Sequence, residues 1–392
     1  MTERIFLDWN ATAPLRPAAR RAMLAALAMT GNPSSVHAEG RAARNLVEEA
    51  RGEVAALVGA DPHNVVFTSG GTEANALSLT PSLHATAEEK GCDRLLVSAI
   101  EHPSVLKGGR FASDSIETIP ATPSGQVDLA HLERQLRELS AVGYSRPLVS
   151  IMAANNETGV IQPVAQAAAI VHAAGGLIHV DAVQAAGRIS LDINALKADL
   201  LTLSAHKIGG PQGVGALVLR EEALRVEPLL RGGGQERGLR AGTENVSGIS
   251  GFGAAAAAAR RELDAERTRL TLLRDRLESG LRIASSDTAI FGQDVERVPN
   301  TVLFAVPGIN AETALIALDL DGVAVSSGAA CSSGKVAPSH VLAAMGVRPE
   351  LLRGAVRISF GQSTTERDID RFLGAWEKRV ETLSKGPRGL AA

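Results

Sequence analysis

Polar side chains follow five apolar segments of the sequence, and their types could do chemistry together. They lie at residues 68–72, 101–102, 155–158, 181–184 and 204–207. In an open parallel sheet, ligands bind outside the carboxyl ends of the strands, so these positions are the first to inspect. One polar strand end is ordinary, but five that supply His, Asn, Asp, Gln and Lys indicate a site.

Two of these strand ends suggest an anion and a cation. Gly71 and Thr72 follow a strand and open a helix, so backbone N–H groups and a hydroxyl could cradle a phosphate there. A tight turn with Thr72 as the N-cap explains the same residues. Lys207 follows another apolar strand beside Ser204 and His206, and taken alone it would be an ordinary surface lysine.

Asp181 changes that interpretation, because an acid at the end of an apolar strand needs a cationic partner. Pyridoxal phosphate requires a Schiff-base lysine, a carboxylate facing the pyridinium nitrogen and a phosphate cradle, and this sequence offers all three. Gln184, three residues after Asp181, can reach the ring hydroxyl, and His102 can stack on the ring. Either of them alone would be a satisfied polar residue, but the set favours the cofactor.

Two further residues extend the predicted chemistry. Cys331 lies in a segment of small residues and glycines, 326–334, which is unlike a packed core cysteine and indicates a nucleophile or sulfur chemistry. Arg357 lies in an apolar strand and can bind a carboxylate through two of its guanidinium nitrogens, although an arginine that faces solvent would give the same sequence pattern. Cys92 is interpreted as incidental.

The elements that must position these residues alternate between strand and helix. Strands are predicted at 65–67, 95–99, 148–153, 177–180, 200–203 and 215–219, with helices at 42–58, 129–139 and 164–174 between them. Near-continuous apolar strands alternating with helices predict an α/β protein with a mostly parallel sheet covered on both faces.

The last third of the sequence predicts a smaller α+β domain after a long helix at 249–281. Its strands are expected at 301–306, 323–326 and 355–360, and its helices at 311–320, at 339–345 and from 365 onward. We expect residues 15–255 to form the large cofactor-binding domain. Residues 1–14 and 256–392 would form the small domain that carries the Cys331 segment.

Composition excludes several classes of protein. The chain has 392 residues, 45% hydrophobic and 21% charged, which excludes a mostly disordered protein. Its formal net charge of −3 and 3% aromatic residues argue against nucleic-acid or anionic-membrane binding. Two cysteines make no disulfide framework. The first residues lack a signal-peptide pattern, so a cytoplasmic location is expected.

The sequence closely resembles the cysteine desulfurases of the NifS/IscS type, which are fold-type I pyridoxal-phosphate enzymes of the class-V aminotransferase family. The matching segments occur in family order: LDWNATAP (7–14), GNPSSVH (31–37), FTSGGTEAN (67–75), EHPSV (101–105), ANNETG (154–159), DAVQ (181–184), SAHK (204–207), GGGQE (232–236), RAGTEN (240–245), SSGAACS (326–332) and PSHVL (338–342). Such a series is not expected by chance.

The resemblance implies a role for each matched residue. Lys207 would carry the cofactor, Asp181 would face its ring nitrogen, Gln184 its ring hydroxyl, and His102 would stack on the ring. Lys207 and His102 would also be catalytic, and Asn156 would contact the cofactor as well as the substrate. The remaining roles fall to the phosphate ligands Gly71, Thr72, Ser204, His206 and the partner subunit's Thr243, to the substrate-binding Asn32, Asn156 and Arg357, and to Cys331 as the persulfide carrier. No intrinsic metal is implied, although Cys331 could ligate a transient iron–sulfur cluster with a scaffold partner.

The resemblance also implies a homodimer that takes sulfur from L-cysteine, releases L-alanine and passes the sulfur to an acceptor. The acceptor could be an iron–sulfur scaffold, a tRNA-thiolation protein or a molybdenum-cofactor protein. Two departures are small: GAAC stands where GSAC is commoner, and AVR where SIR is commoner. The Cys331 segment resembles the longer version found in the family, which suits transfer to a separate protein.

Other interpretations of the same residues remain open. An aminotransferase or a selenocysteine lyase would use the same cofactor, but transamination needs no thiol, so Cys331 argues against an aminotransferase. A non-catalytic scaffold that retains the fold would not need Lys207, Asp181 and Cys331. A metalloenzyme built on His102, His179 and His206 lacks the ligand spacing typical of a metal site.

Overall fold

The computed structural model describes residues 4–84, 91–328 and 338–383. Its strands are β1 (Ile5–Phe6), β2 (Val65–Thr68), β3 (Arg94–Ser98), β4 (Ile116–Ile119), β5 (Pro147–Met152), β6 (Leu177–Asp181), β7 (Leu200–Ser204), β8 (Gly215–Leu219), β9 (Ala289–Ile290), β10 (Thr301–Ala305), β11 (Val323–Ala324), β12 (Ser326–Ser327) and β13 (Val356–Ser359). Most are short and fully buried, as expected for strands covered on both faces.

The helices connect and cover these strands. They are α1 (Pro17–Leu27), α2 (Ala38–Leu57), α3 (Gly71–Ser78), α4 (Pro103–Leu106), α5 (Leu129–Ala141), α6 (Val164–Ala173), α7 (Ile193–Leu196), α8 (Val246–Ala284), α9 (Ala311–Leu320), α10 (His340–Ala344), α11 (Pro349–Leu352) and α12 (Glu366–Leu383). Polar N-caps begin several of them: the Asp128 side chain accepts from the His131 N–H at 2.9 Å at the start of α5.

A seven-stranded sheet forms the centre of the large core, in the order β2-β8-β7-β6-β5-β3-β4. Only β8 runs antiparallel to its neighbours, which confirms the mostly parallel sheet predicted from the sequence. The six predicted strands are present with shifts of about one residue at their ends. The prediction missed β4, an edge strand whose half-exposed residues lack a continuous apolar run.

Two smaller sheets organise the last third of the chain. An antiparallel sheet has the order β12-β13-β10-β9, and β1 pairs in parallel with β11. The strand predicted at 323–326 is therefore two strands in different sheets, β11 and β12. The rings of Phe304 and Trp376 meet edge to face at 5.0 Å inside this second core, and Phe372 is fully buried beside them.

Helix α8 passes from one core to the other. Its 39 residues span about 58 Å at the usual rise of a helix. Phe252 and Ala255 pack in the core of the large sheet, whereas Leu273 and Leu277 pack with Trp376 in the second core. The two cores agree with a large and a small domain, but the domain limits themselves remain a prediction. Among the described residues, no helix is long and apolar enough to cross a bilayer.

Candidate active site

A cavity of about 330 Å³ opens at the carboxyl edge of the large sheet, where β2, β3, β5, β6 and β7 end. Two walls enclose most of it. The sheet wall consists of Gly71, Thr72, Asn75, His102, Ser104, Asp181, Val183, Gln184, Ser204, His206 and Lys207. The small-core wall consists of Asn10, Ala11 and Arg357. Asn156, in the turn after β5, lies between the two walls.

Asp181 is the buried carboxylate of the sheet wall, at the end of β6. Its Oδ2 accepts from the Asn75 side-chain amide at 2.9 Å, and its Oδ1 accepts from the Val183 N–H at 3.0 Å. Only 6% of the residue is exposed, and within the described part of the chain no cationic side chain forms an ion pair with it. A buried acid held by neutral donors remains available for a positively charged group in the cavity.

Lys207 lies in the turn that follows β7, and its ammonium group reaches across the cavity. Its Nζ donates to the carbonyl oxygens of Asn10 at 2.6 Å and Ala11 at 2.7 Å. These contacts join the sheet wall to the small-core wall and fix the amine between them. A lysine held in a half-buried cavity by neutral carbonyls is well placed to react with a carbonyl compound.

The turn that opens α3 forms an anion cradle. A Cβ atom on Gly71 would lie 3.0 Å from Val183 Cγ2 and 3.5 Å from Ser204 Cβ, so a larger residue would narrow the space at the helix start. Thr72 and Ser204 add hydroxyls. His206 is neutral here, because burial and, to a smaller extent, the positive charges of Lys207 and Arg188 lower its pKa to about 4.

His102 caps the short helix α4. The Ser104 N–H donates to His102 Nδ1 at 3.2 Å, so Nδ1 is an acceptor and the proton of the neutral ring lies on Nε2. Burial is the largest cause that lowers the pKa of His102, with Lys207 and His340 adding to it and Asp181 opposing it. The ring is therefore neutral at physiological pH and can exchange one proton.

Arg357 supplies the cation of the small-core wall. It lies on β13, is 3% exposed, and donates from Nη1 to Asn156 O at 2.9 Å and from Nη2 to Asp8 Oδ1 at 2.8 Å. Its Nε and the Oδ1 of Asn156 are buried without a partner. A buried donor and a buried acceptor left open at one cavity indicate a ligand with a carboxylate and a hydrogen-bond donor.

The same cavity fits pyridoxal phosphate. The cradle at Gly71 suits the phosphate, and the Lys207 amine suits the aldehyde. Asp181, held only by neutral donors, suits the ring nitrogen. Asn75 Oδ1 is a further buried atom without a partner beside Asp181. The donor set thus matches the anionic, aldehyde and pyridinium groups of this cofactor.

The structure brings together ten of the site residues predicted from the sequence: Gly71, Thr72, His102, Asn156, Asp181, Gln184, Ser204, His206, Lys207 and Arg357. Asn32 is exposed in a loop and accepts from the Ser34 N–H at 2.9 Å. Thr243 is exposed and lines a separate cavity of about 270 Å³. Cys331 lies outside the described residues, and so does most of the segment predicted to carry it.

Asn10 and Asn75 were missed by the residue-type argument, although both lie in segments that carry the family resemblance. Each acts through its side-chain amide. Asn10 Nδ2 donates to Asn156 O at 3.2 Å and Thr301 Oγ1 at 2.9 Å, and Asn75 holds Asp181. The available signal was a polar residue between apolar neighbours, as Asn75 is between Ala74 and Ala76 in α3.

Two buried glutamates lie beside the cavity. Glu101 is fully buried, Oε1 accepts from the Met152 N–H at 2.6 Å, and burial raises its pKa well above the usual range. Glu157 accepts from the Ser339 hydroxyl, and burial raises its pKa to about 7 despite that bond and the attraction of Arg357. The described residues contain no group of three or more potential metal ligands.

The chain matches the family described as Aminotransferase class-V over residues 5–372. It is 42% identical to a cysteine desulfurase of Gluconacetobacter diazotrophicus, covering 94% of this chain and 91% of that protein. It is 40% identical to the cysteine desulfurase IscS of Dictyoglomus turgidum, covering 98% and 96%.

Solved structures give the same relationship. A NifS-like protein from Rickettsia africae superimposes with a TM-score of 0.87 at 36% identity, covering 97% of this chain and 100% of that one. Proteins that share only a fold do not show this level of sequence identity over nearly their whole length. The chain therefore belongs to the class-V aminotransferase family and, within it, to the cysteine desulfurases.

Proposed function

We propose that this protein removes sulfur from L-cysteine, releases L-alanine and holds the sulfur as a persulfide on Cys331. The observation that carries the proposal is the convergence of Lys207, Asp181 and Arg357 on one cavity in a chain that belongs to the cysteine desulfurases. A reactive amine, a carboxylate for a pyridinium and a cation for a carboxylate are what an amino-acid substrate and pyridoxal phosphate require.

The cofactor would be held by the sheet wall. Gly71, Thr72, Ser204 and His206 would bind its phosphate, Asp181 its ring nitrogen, Gln184 its ring hydroxyl, and His102 would lie on its face. When bound, pyridoxal phosphate supplies an aldehyde that joins the substrate amine and a ring that accepts electrons from the substrate Cα.

The substrate would be oriented by the small-core wall. Arg357 Nε has no partner in the described structure, and it would bind the carboxylate of L-cysteine together with Nη2. Asn156 Oδ1, also without a partner, lies within the same cavity and would accept from the substrate. These contacts would place the Cα–H of the substrate toward the Lys207 amine.

Two groups would then move protons. The amine of Lys207 takes the Cα proton, and the neutral His102 ring, with its proton on Nε2, exchanges protons at the substrate. The Cys331 thiolate attacks the substrate sulfur, so a new S–S bond forms as the Cβ–S bond breaks, and the electron pair left on Cβ takes a proton to give alanine. The reaction balances as L-cysteine plus a thiol giving L-alanine plus a persulfide.

The finer assignments belong to the same proposal. We infer a homodimer in which the partner subunit's Thr243 completes the phosphate site, since Thr243 is exposed and away from the cavity of its own chain. Asn32, equally exposed, would reach substrate only in such an assembly. A reducing compartment such as the cytoplasm keeps the Cys331 thiol free to receive sulfur, and an acceptor such as an iron–sulfur scaffold would then take the sulfur.

Borohydride trapping tests the proposal at Lys207. The protein is incubated with pyridoxal phosphate, reduced and digested, and the modified peptide is identified by mass. We expect a reduced pyridoxyl adduct on Lys207. The proposal is contradicted if the folded protein, supplied with pyridoxal phosphate, carries no adduct on Lys207.

A cysteine pair tests the sulfur step. Cys331→Ser should retain the yellow cofactor and lose persulfide formation and alanine production. Cys92→Ser is the matched control, because Cys92 is buried and burial raises its thiol pKa to about 12, which keeps it unreactive. Full desulfuration by the Cys331 variant would overturn the mechanism, and release of a keto acid instead of alanine and sulfide would indicate transamination.

A further inference from the structure

Arg188 is a buried cation whose one effect described so far is to help lower the pKa of His206. It is 7% exposed and lies in the turn after β6, four residues beyond Gln184. Its Nη1 donates to the backbone oxygen of Gln184 at 2.8 Å and also to the side-chain Oε1 of Gln184. Within the described ranges, no carboxylate forms an ion pair with it.

Those contacts determine how the Gln184 amide is oriented. A guanidinium can only donate, so the atom that faces Arg188 must be the carbonyl Oε1. The opposite atom lies 3.0 Å from Asn10 O, which can only accept, so it must be Nε2. Both partners require the same orientation, and reversing the amide would place N–H against N–H and oxygen against oxygen.

This orientation places a donor at the cavity. Asn10 O accepts from Gln184 Nε2 and also from Lys207 Nζ, so the Gln184 amide nitrogen lies next to the reactive amine. Arg188 lines a separate cavity of about 50 Å³ that also touches Trp9, Asn300 and the back of Lys207. Gln184 thus lies between a buried positive charge on one side and the cofactor cavity on the other.

No acid in the described part of the chain balances the charge of Arg188. Burial lowers its pKa to about 9, with the repulsion of Arg357 as a smaller cause, which still leaves the guanidinium charged at neutral pH. Burying an unpaired cation is costly, and an apolar residue of similar volume would avoid the cost. A cation that polarises the Gln184 carbonyl strengthens the N–H donor at the other end of the amide.

We propose that Arg188 is a positioning residue of the cofactor site, which locks and polarises the Gln184 amide so that its N–H stabilises a negative oxygen in the cavity. The proposal rests on the proposed function, in which that oxygen is the ring oxygen of pyridoxal phosphate. The stabilised anion lowers the proton affinity of the adjacent nitrogen, and so sets the pH at which the bound cofactor changes colour.

The test is a pH titration of the absorbance of the holoprotein. Arg188→Met should raise the midpoint by about one pH unit, the size expected from removing one partly screened charge a few ångströms behind the hydrogen bond. Arg188→Lys, which retains the charge, should recover part of the shift. Should the methionine variant fail to fold, Arg188→Gln removes the charge and retains a polar, though shorter, side chain.

A double-mutant cycle separates positioning from a direct field effect. In a Gln184→Ala background, Arg188→Met should produce no further shift of the midpoint, whereas an equal shift in both backgrounds would overturn the role through Gln184. Arg282→Met is the matched control, since Arg282 donates to Gln293 Oε1 at 2.7 Å on the surface and should leave the midpoint unchanged.

The two proposals fail differently in this experiment. A protein that acquires no cofactor absorbance in any variant contradicts the proposed function. A wild-type protein that binds pyridoxal phosphate and titrates, together with a folded Arg188→Met variant whose midpoint equals that of the wild type, contradicts the role of Arg188 alone. Cooperative thermal unfolding of the cofactor-free variants confirms that the folded state is being compared.

Discussion

The two walls of the cavity are built in different ways. In the sheet wall, most residues lie at or just after the end of a strand whose apolar sequence places them, so the sheet aligns Asp181, Ser204 and Lys207 at one edge. The small-core wall has no such local rule. Arg357 and Asp8, which form an ion pair at 2.8 Å, are separated by 349 residues of sequence.

The difference shows which interactions each wall depends on. Strand pairing fixes the sheet wall, and this pairing is spread over seven strands. The small-core wall depends on a few buried hydrogen bonds around Asn10, whose side chain and backbone contact Asn156, Thr301 and Ser359. Single substitutions in the sheet wall should therefore lower the rate of the reaction. Single substitutions in the small-core wall should instead change the stability of the protein or the binding of the substrate.

Asp181→Asn should give the largest effect on the sheet wall. The amide has the same shape but no negative charge for a ring nitrogen, so kcat/KM for alanine formation should fall about 100- to 1000-fold, as for the loss of other preorganised electrostatic groups. Steady-state kinetics measures this loss. Asp199→Asn is the control, since Asp199 is a buried acid of the same sheet, paired with Arg220 at 2.7 Å and away from the cavity. Equal losses in both variants would show that the effect is not specific to the site.

Glu157 lies where the two walls meet, beside Asn156 and against Ser339. Burial raises its pKa to about 7 in the folded protein, above the 4.5 usual for a glutamate in water. Between these values the folded state binds more protons than the unfolded state, so stability must fall as the pH rises through this window.

Glu157→Gln should remove that pH dependence. The wild type should lose stability between pH 5 and pH 8, whereas the variant should not. The unfolding free energy of the variant, relative to that of the wild type, should therefore rise across this range by up to the order of 3 kcal/mol. Urea unfolding at several pH values measures it, with the exposed Glu312→Gln as the control. A difference that stays constant with pH would contradict the raised pKa.

Asn10→Ala tests the small-core wall directly. It removes hydrogen bonds from Nδ2 to Asn156 O and Thr301 Oγ1, both buried or partly buried, and should lower the unfolding free energy by about 2 kcal/mol. Asn64→Ala is the matched control, because Asn64 is also buried but the substitution removes a single side-chain bond, from Nδ2 to Arg220 O at 3.2 Å. The structural interpretation of Asn10 fails if Asn10→Ala loses no more stability than Asn64→Ala.

The same contrast explains how much the sequence could predict. The strands, the helices between them and the strand-end residues followed from apolar periodicity, because the buried strands read as continuous apolar runs. Asn10 was not singled out, since its partners Asn156 and Thr301 lie 146 and 291 residues away and no local pattern encodes them. Edge strand β4 and the division of 323–326 into β11 and β12 depend on exposure and pairing, which a single sequence does not display.

Arg188 belongs to the same class of unpredicted residues. Its relation to Gln184 is local, at a spacing of four residues, but its meaning depends on burial without an acidic partner. From the sequence alone, an arginine near the end of a strand is expected to be an exposed cation. Charge balance at buried positions is thus the information that the structure adds to the sequence.

Asp8→Asn should give the smallest effect and sharpens the role of the small-core wall. Asp8 accepts from Arg357 Nη2 at 2.8 Å, where its charge competes with a substrate carboxylate for the same guanidinium. Asparagine retains an acceptor oxygen that holds Arg357 in place but removes the competing charge. Because the Asp8 side chain is 20% exposed and partly screened, KM for L-cysteine should fall only about threefold, with kcat unchanged.

Initial-rate kinetics over a range of L-cysteine concentrations separates the two constants. Asp319→Asn serves as the control, because Asp319 also pairs with an arginine, Arg4, but on the surface of the second core. A KM that rises in the Asp8 variant would mean that the charge orients Arg357 and does not compete with substrate. In that case the small-core wall would bind substrate through the Asp8–Arg357 pair as a unit, and its geometry would depend on an ion pair as well as on the hydrogen bonds of Asn10.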